Sequence, residues 1–433
     1  MLIQFSLENF LSYRNSSTLN MVAGSGKEFP ENVFHHHPAG AARAKPTPLL
    51  KVAALYGANA GGKTNLFKSL LFMREMILHS SKESQANELI GVFPFLWHPE
   101  APSQPSTVEA VFVQNNTRYR YGFSADAQRV HMEWLFAAPK GREAKYFVRE
   151  ANDFEFGSFF SRTTGLEEKT RENALFLSVA AQFNHPIARE VVEWFTNLQV
   201  IWPDRHPFPG RSLDILGGNR RVRLLEFIRL ADNSITNMEV EEIDVLFSDF
   251  LPPALKNRIS VEFSHQGEKR DKIKAKKLVS YHYAYDDTGK RLAPVPLDFE
   301  KESGGTRRLF ELAGMILFAL DQGTVLVVDE LECSLHPKMT RFIIEAFHSA
   351  QTNPKNAQLI FATHDVGLFS RQFFRRDQLW LVKKNDYGSS ELYSLADFKV
   401  RPDASYGKDY MQGRYGAIPM VGEPLSVFGK KNQ

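Results

Sequence analysis

The chain has 433 residues, 43% of them hydrophobic and 24% charged, which excludes global disorder and fits one elaborated α/β domain or two to three units of about 150 residues each. Fifty-three basic against 50 acidic residues leave a net charge of +3, too even to argue nucleic-acid binding by itself, and the single Cys333 excludes an intrachain disulfide and a multi-thiolate zinc site. The most apolar run, Leu312 to Leu320, falls far short of the about 20 residues a membrane span needs, and Met1-Leu2-Ile3-Gln4-Phe5 lacks a secretory n-region and h-region, so a cytoplasmic protein with no membrane segment is expected.

In chain order, Leu2 to Leu7 and Ser17 to Val22 alternate apolar and polar side chains, predicting an antiparallel pair. Gly24 to Pro48, rich in Gly, Pro, Ala and His, reads as a loop; its consecutive His35, His36 and His37 cannot easily converge on one ion and are expected to be solvated. Leu49 to Tyr56 is a nearly continuous apolar run that predicts a buried parallel strand, and Leu66, Phe67, Leu70, Leu71, Met73, Met76 and Ile77 then recur at helical spacing. Thr107–Val113 and Tyr119–Phe123 flank Asn115-Asn116, a hairpin signal. Residues from about 172 to 256 read as more helical, with Arg221 to Leu230 one amphipathic piece. The basic run Lys269 to Lys277 could meet a phosphate backbone or an acidic partner, or be a solvated loop. Strands return at Lys277–Tyr283, a helix is predicted over 306–320, and buried strands over 324–329 and 358–364. The 35 phenylalanines should dominate the core. Arg307-Arg308 and Arg375-Arg376 are expected on exposed helix faces, and Tyr56 or Arg14 are weak candidates to stack on a base.

Four short motifs carry chemistry. Gly57-Ala58-Asn59-Ala60-Gly61-Gly62-Lys63-Thr64 fits G-x-x-x-x-G-K-[ST] between a predicted strand and a predicted helix. Such a turn points backbone N–H groups at phosphate oxygens, with Lys63 reaching the β- and γ-phosphates and Thr64 offering a hydroxyl to Mg²⁺. Val325 to Glu330 is an apolar strand delivering two adjacent carboxylates: Asp329 is placed for the Mg²⁺ shell and Glu330 to polarise a water in line with the γ-phosphate. Ser303-Gly304-Gly305, at the start of a predicted helix, is a second candidate anion cradle. His364 ends a third buried strand and could donate to the γ-phosphate or the attacking water, or be structural.

Taken together, the Lys63 loop, Ser303 to Gly305, Asp329-Glu330, Ser334-Leu335-His336 and His364 resemble, in order, the Walker A, signature, Walker B, D-loop and switch histidine of the ATP-binding-cassette class of P-loop ATPases. Within it, Phe5 to Ser12, Gly57 to Thr64, Glu302 to Leu312, Asp329 to Pro337 and Gly413 to Pro419 resemble the soluble AAA-type heads of bacterial anti-phage and abortive-infection systems (AbiL/RloA-like and PARIS AriA-like), cousins of RecF, of structural-maintenance-of-chromosomes heads and of OLD nucleases. The resemblance implies an α/β P-loop fold of ABC-head type, its mixed sheet accompanied by antiparallel N-terminal strands and interrupted by an inserted α+β region. The expected division is 1–84 as the lobe with Walker A, 85–290 as inserted strands and helices, and 291–433 as the lobe with the remaining motifs. It also implies ATP and Mg²⁺ as cofactors, slow turnover, and a homodimer or higher oligomer. In that assembly Gly57, Asn59, Gly61, Gly62, Lys63 and Thr64 bind one face of the nucleotide, and Ser303, Gly304 and Gly305 of a second protomer bind the other. The signature departs from the transporter pattern, reading Thr306 after the glycines where a glutamine is usual, and no Q-loop glutamine can be placed. Only 69 residues follow His364, too few for an appended Toprim domain, so a separate effector, a Toprim-like or other nuclease, is expected. The alternative is a RecF/SMC-like repair clamp on duplex DNA.

Overall fold

The computed structural model describes residues 1–38, 45–82, 85, 87–161, 163–202, 210–246, 272–401 and 404–419. It divides into two compact units, the first comprising Met1–Arg205, Phe318–Cys333 and Thr340–Gln433 and the second His206–Leu317 and Ser334–Met339. In chain order the elements are β1 (Leu2–Glu8), β2 (Ser17–Asn20), β3 (Val33–His36), β4 (Thr47–Leu50), β5 (Val52–Gly57), α1 (Lys63–His79), β6 (Ser106–Gln114), β7 (Thr117–Ala125), β8 (Val130–Ala138), β9 (Ala144–Glu150), β10 (Asp153–Phe156), α2 (Phe176–Gln182), α3 (Pro186–Asn197) and β11 (Gln199–Ile201). There follow α4 (Gly210–Leu216), α5 (Arg221–Arg229), β12 (Ile235–Leu246), β13 (Lys272–His282), β14 (Val295–Asp298), α6 (Gly304–Gln322), β15 (Val325–Val328), α7 (Pro337–His348), β16 (Gln358–Ala362), β17 (Leu379–Lys384), β18 (Ser390–Ser394) and α8 (Tyr406–Met411). No helix among the described residues is long and apolar enough to cross a membrane.

The first unit holds two large sheets. One runs β11-β15-β16-β5-β17-β18, parallel except for the β18 edge. Its strands β5, β15 and β16 are buried along their whole length, which is why they read as unbroken apolar runs rather than alternating ones. The other is antiparallel, in the order β10-β9-β8-β7-β6-β1-β2. Asn115 and Asn116 join β6 to β7 with φ of 45° and 62°, the left-handed pair that a two-residue hairpin turn requires. Phenylalanine does dominate the packing here: Phe112 stacks on Trp194 at 4.3 Å, while Phe147 and Phe160 meet the Phe176 ring. The fold is thus mixed α/β, with antiparallel strands beside a mainly parallel sheet.

Four local expectations are corrected. The supposed loop from Gly24 to Pro48 contains a hairpin, β3 against β4, and it turns His36 into the core while His35 and His37 face out. Burial, ahead of the neighbouring positive charges, holds His36 below the usual histidine range. The single strand expected from Leu49 to Tyr56 breaks at Lys51, whose buried ammonium donates to the His348 carbonyl at 2.8 Å. Ile235–Leu246 lies in the stretch read as helical but is a strand, because β13 offers it eleven backbone partners that local propensity does not anticipate. Arg375 and Arg308, expected on exposed faces, are both buried. Arg375 donates to the carbonyls of Gly24, Gly26 and Glu28 and pairs with Asp377 at 2.7 Å, and Arg308 lies 3.6 Å from Glu311.

In the second unit, β12, β13 and β14 form an antiparallel ribbon, and Leu224, Phe227, Ile228, Leu309, Phe310 and Leu312 are buried. The register sets Asp244 opposite Lys274, Glu242 opposite Lys276 and Glu241 opposite Lys277, while Lys272 lies opposite Leu246. Lys269 and Arg270 lie outside the described residues.

A pH dependence follows from α7. His348 is buried, the Gln378 amide lies 3.1 Å from its Nε2, and burial followed by the Lys51 charge pushes its pKa down to about 3. Unfolding lets it take up a proton below pH 6.5, which the native state refuses until pH 3. Stability is therefore complete above pH 6.5 and lost as pH falls, by at most about 1.4 kcal/mol per unit. Urea titrations at pH 7 and pH 5 should show a smaller loss for His348→Gln than for wild type; equal losses would refute the assignment.

Candidate functional site

Strand β5 ends in Gly57, the loop turns through residues 58–62, and Lys63 opens α1, so the first motif stands at the carboxyl end of a central strand. Asn59 and Ala60 are exposed and Gly61, Gly62 and Lys63 are buried. Gly62 has φ of 120°, and a Cβ there would stand 2.2 Å from Ser390 Oγ, so both backbone and space demand glycine. Ser390 Oγ lies 2.6 Å from the Gly61 carbonyl and 2.7 Å from Ser12 Oγ; Asn65 donates to Ser12 at 2.8 Å and the buried Tyr13 hydroxyl to the Gly62 carbonyl at 3.2 Å. The loop is thus braced by the β1–β2 turn and the β18 edge. Tyr13 and Ser390 carry no motif signature, and although Ser12 closes the Phe5 to Ser12 segment, only its placement in the fold reveals its part in bracing the loop.

Lys63 Nζ donates to the carbonyls of Gly57 at 2.8 Å and Ala58 at 3.2 Å. Burial holds its ammonium below the usual lysine value, while Asp329, Glu330 and Glu332 pull it back up. The Thr64 hydroxyl donates to Asp329 Oδ2 at 2.6 Å, closing a link across 265 residues of sequence. Asp329 follows β15 directly, its N–H donating to the Ile201 carbonyl at 2.7 Å. Its carboxyl is lifted above the usual range by burial, against the pull of Thr64 and Lys63. Its other oxygen, Oδ1, is buried without a hydrogen-bond partner. A buried, half-satisfied carboxylate oxygen beside a threonine hydroxyl suits a hard divalent cation, which takes oxygen ligands, so these residues fit Mg²⁺.

Glu330 adopts φ of 50°, a left-handed conformation costing roughly 1–2 kcal/mol for a non-glycine residue. With it the chain leaves the strand into a turn in which the Cys333 N–H donates to the Glu330 carbonyl, and the glutamate joins Asp329 and Thr64 on the wall of a cleft of about 850 Å³. The cleft is also lined by Phe10, Leu11, Leu71, Phe72, Phe93 and Trp202. Trp202 follows β11, the strand paired with β15, and no glutamine lines this cleft among the described residues. A third carboxylate that sequence reasoning passed over, Glu332, accepts from the His364 N–H at 2.6 Å. His364 itself is exposed at the end of β16. Partial burial of its ring and, next, the Lys63 charge hold it below the usual histidine range, against the pull of Glu332, Glu330 and Asp329. Tyr56 is fully buried against Phe369, so it cannot stack on a nucleotide base; Arg14 is exposed and lies 2.8 Å from His98.

Ser303, Gly304 and Gly305 belong to the second unit. Ser303 and Gly304 are exposed at the N-terminus of α6, and Ser303 Oγ accepts from the Thr306 N–H at 3.1 Å as an N-cap. A Cβ on Gly305 would stand 2.9 Å from the Ser334 carbonyl, so the second glycine lets that turn approach the helix start.

A family model described as "AAA domain, putative AbiEii toxin, Type IV TA system" matches residues 52–370. Among solved structures, the SMC head domain from Thermotoga maritima is 13% identical with a TM-score of 0.37, covering 91% of this chain and 98% of that one. An SmcHead bound to the C-winged helix domain of ScpA is 14% identical at 0.39, covering 91% and 97%. An Smc head domain with an extended coiled coil, bound to the C-terminal domain of ScpA derived from Pyrococcus furiosus, is 12% identical at 0.37, covering 96% and 98%. No curated protein matches the chain.

Proposed function

The chain belongs to the AAA domain family matched over residues 52–370, and from that premise we propose that it is an ATP-hydrolysing switch of ABC-head type. In this reading it closes as a homodimer and governs a separate effector, a Toprim-like or other nuclease, in bacterial anti-phage defence. The observation that carries the ATPase part is the Thr64–Asp329 contact, which joins the phosphate loop to the carboxylate strand beside Lys63 and Glu330.

Thr64 and Asp329 would hold Mg²⁺, which would supply positive charge to offset that of the phosphates. Lys63 exchanges its two carbonyl partners for phosphate oxygens, and Gly62 brings its N–H to the same anion, joined by Gly61 once its N–H leaves the Ala58 carbonyl. Glu330 takes the proton of the attacking water, and His364 donates towards the γ-phosphate. The Ser303-Gly304-Gly305 turn of a second protomer, exposed at Ser303 and Gly304, completes the site, since a serine and the N–H groups of a helix start suit a terminal phosphate. The family description, a putative AbiEii toxin of a type IV TA system, is the ground for the defence context, while the separate nuclease effector rests on the sequence resemblance alone. The alternative is a DNA clamp, which would show ATP-dependent affinity for duplex DNA with a steep salt dependence.

Complementation between two defective chains tests the shared site. Lys63→Ala and Ser303→Arg should each fall below about 5% of wild-type turnover, while an equal mixture, whose mixed dimers carry one complete site, returns to roughly a quarter of it. No recovery on mixing, with both variants folded, rejects a site built from two chains. Phage plating efficiency on cells carrying the wild-type or the Lys63→Ala gene checks the defence role, and unchanged protection would reject it.

A further inference from the structure

The residue before the Ser303 turn is a glutamate, an adverse neighbour for an element meant to meet phosphate. A carboxylate turned outward there would repel the anion. The structure turns it inward: Glu302 is 7% exposed, and its Oε1 accepts from His282 Nε2 at 2.6 Å and from the Ser280 hydroxyl. His282 continues the chain of contacts. Its Nδ1 meets Ser234 Oγ at 2.8 Å, and that hydroxyl meets Asp232 Oδ1 at 2.6 Å. The four groups span the base of the β12–β13 ribbon: Asp232 and Ser234 lie just before β12, and Ser280 and His282 end β13. All of them lie in the second unit.

We propose that His282 and Glu302 are positioning residues for the ATPase reaction. His282 sequesters the Glu302 carboxylate and so keeps the Ser303-Gly304-Gly305 turn electrostatically open to the terminal phosphate held by a partner protomer. This deepens the proposed function and rests on its shared site. The physical balance is between two fates of one negative charge. Paired with an imidazole N–H and a hydroxyl inside the unit, it satisfies their hydrogen bonds and leaves the α6 N-terminus with its positive potential intact. Without His282 it keeps only the Ser280 hydroxyl in a buried setting, and the way to regain hydration is to swing out beside Ser303, where it opposes the incoming anion. The same contacts tie the turn to the base of the ribbon, so a partner that shifts β13 would also shift the phosphate contact.

The test is a charge-removal rescue. In the full chain, His282→Ala should raise the protein concentration needed for half-maximal ATP turnover by about tenfold, leaving the ATP affinity of the single protomer unchanged within about twofold. Adding Glu302→Gln removes the exposed charge and should bring the concentration dependence back to within about threefold of wild type. A merely structural histidine predicts the reverse: the double variant would be no better than His282→Ala, with thermal stability falling in step. That result, or wild-type behaviour of His282→Ala, overturns the proposal. Ser303→Arg, assayed alongside, separates the two levels. If it leaves turnover intact, the shared-site reading fails and takes this one with it; if it abolishes turnover while His282→Ala does nothing, only the role of the pair is lost.

Discussion

Replacing Glu330 with glutamine should lower ATP turnover by at least about a hundredfold while leaving ATP affinity within about threefold of wild type, since general-base contributions commonly reach 10²–10⁴. Glutamine keeps the size of the side chain and tolerates the left-handed backbone at this position as well as glutamate does, so the turn after β15 survives and only the proton acceptor is lost. The nucleotide contacts proposed for Lys63, Thr64 and Asp329 do not involve this side chain, and the variant should accumulate as an ATP-bound dimer, seen as a shift in sedimentation or gel filtration with ATP. Asp329→Asn should behave differently: removing the carboxylate that holds the Thr64 hydroxyl weakens Mg²⁺-dependent ATP binding itself. Turnover of Glu330→Gln at the wild-type rate would remove glutamate from the role of base.

The largest stability effect is expected far from the nucleotide. Glu133, on β8, is wholly buried; its carboxylate accepts from the N–H groups of Phe176 at 2.7 Å and Leu177 at 2.9 Å and from the Tyr121 hydroxyl at 2.9 Å, and lies 3.6 Å from the Arg149 guanidinium. Burial pushes this carboxyl above its usual range, with Arg149 and the three donors opposing. Arg149 in turn donates to the carbonyls of Ala151 and Ala174, so the pair ties the approach to α2 onto the antiparallel sheet. Glu133→Leu fills the space but strands a buried guanidinium charge, two N–H groups and a hydroxyl, at a cost of about 3–5 kcal/mol. Scanning calorimetry should show a fall in Tm of roughly 3–6 °C for a chain of this size. Glu133→Gln, which can still accept hydrogen bonds, should lose less than half as much. A Tm within about 2 °C of wild type for Glu133→Leu would show that the pair contributes nothing net.

What could be read along the chain was whatever depends on neighbours in sequence. An apolar strand followed by Gly57 to Thr64, and another followed by Asp329-Glu330, announce phosphate and cation chemistry because a tight anion-binding turn needs glycines at fixed offsets, and a strand end needs only one residue to place a carboxylate. The Asn115-Asn116 hairpin and the buried parallel strands are of the same kind, their patterns complete within a dozen residues. Where propensity and context conflicted, the local reading failed. Ile235–Leu246 carries too many acidic residues to look like a strand until β13 pairs with it, and Arg375 looks like a surface residue until three loop carbonyls from the other end of the chain close over it.

By itself, then, the sequence determined the P-loop class, the strand–turn–helix that cradles phosphate, and the identity of Lys63, Thr64, Asp329 and Glu330 as candidates. Only the tertiary structure decided that Thr64 meets Asp329, that Ser12 and Ser390 brace the loop, that Trp202 lines the cleft with Asp329 and Glu330, and that Glu302 is turned inward onto His282. The reason is physical: a hydrogen bond between residues hundreds of positions apart costs chain entropy that local sequence cannot offset, so it exists only once the sheets have packed and leaves no periodic trace in the sequence.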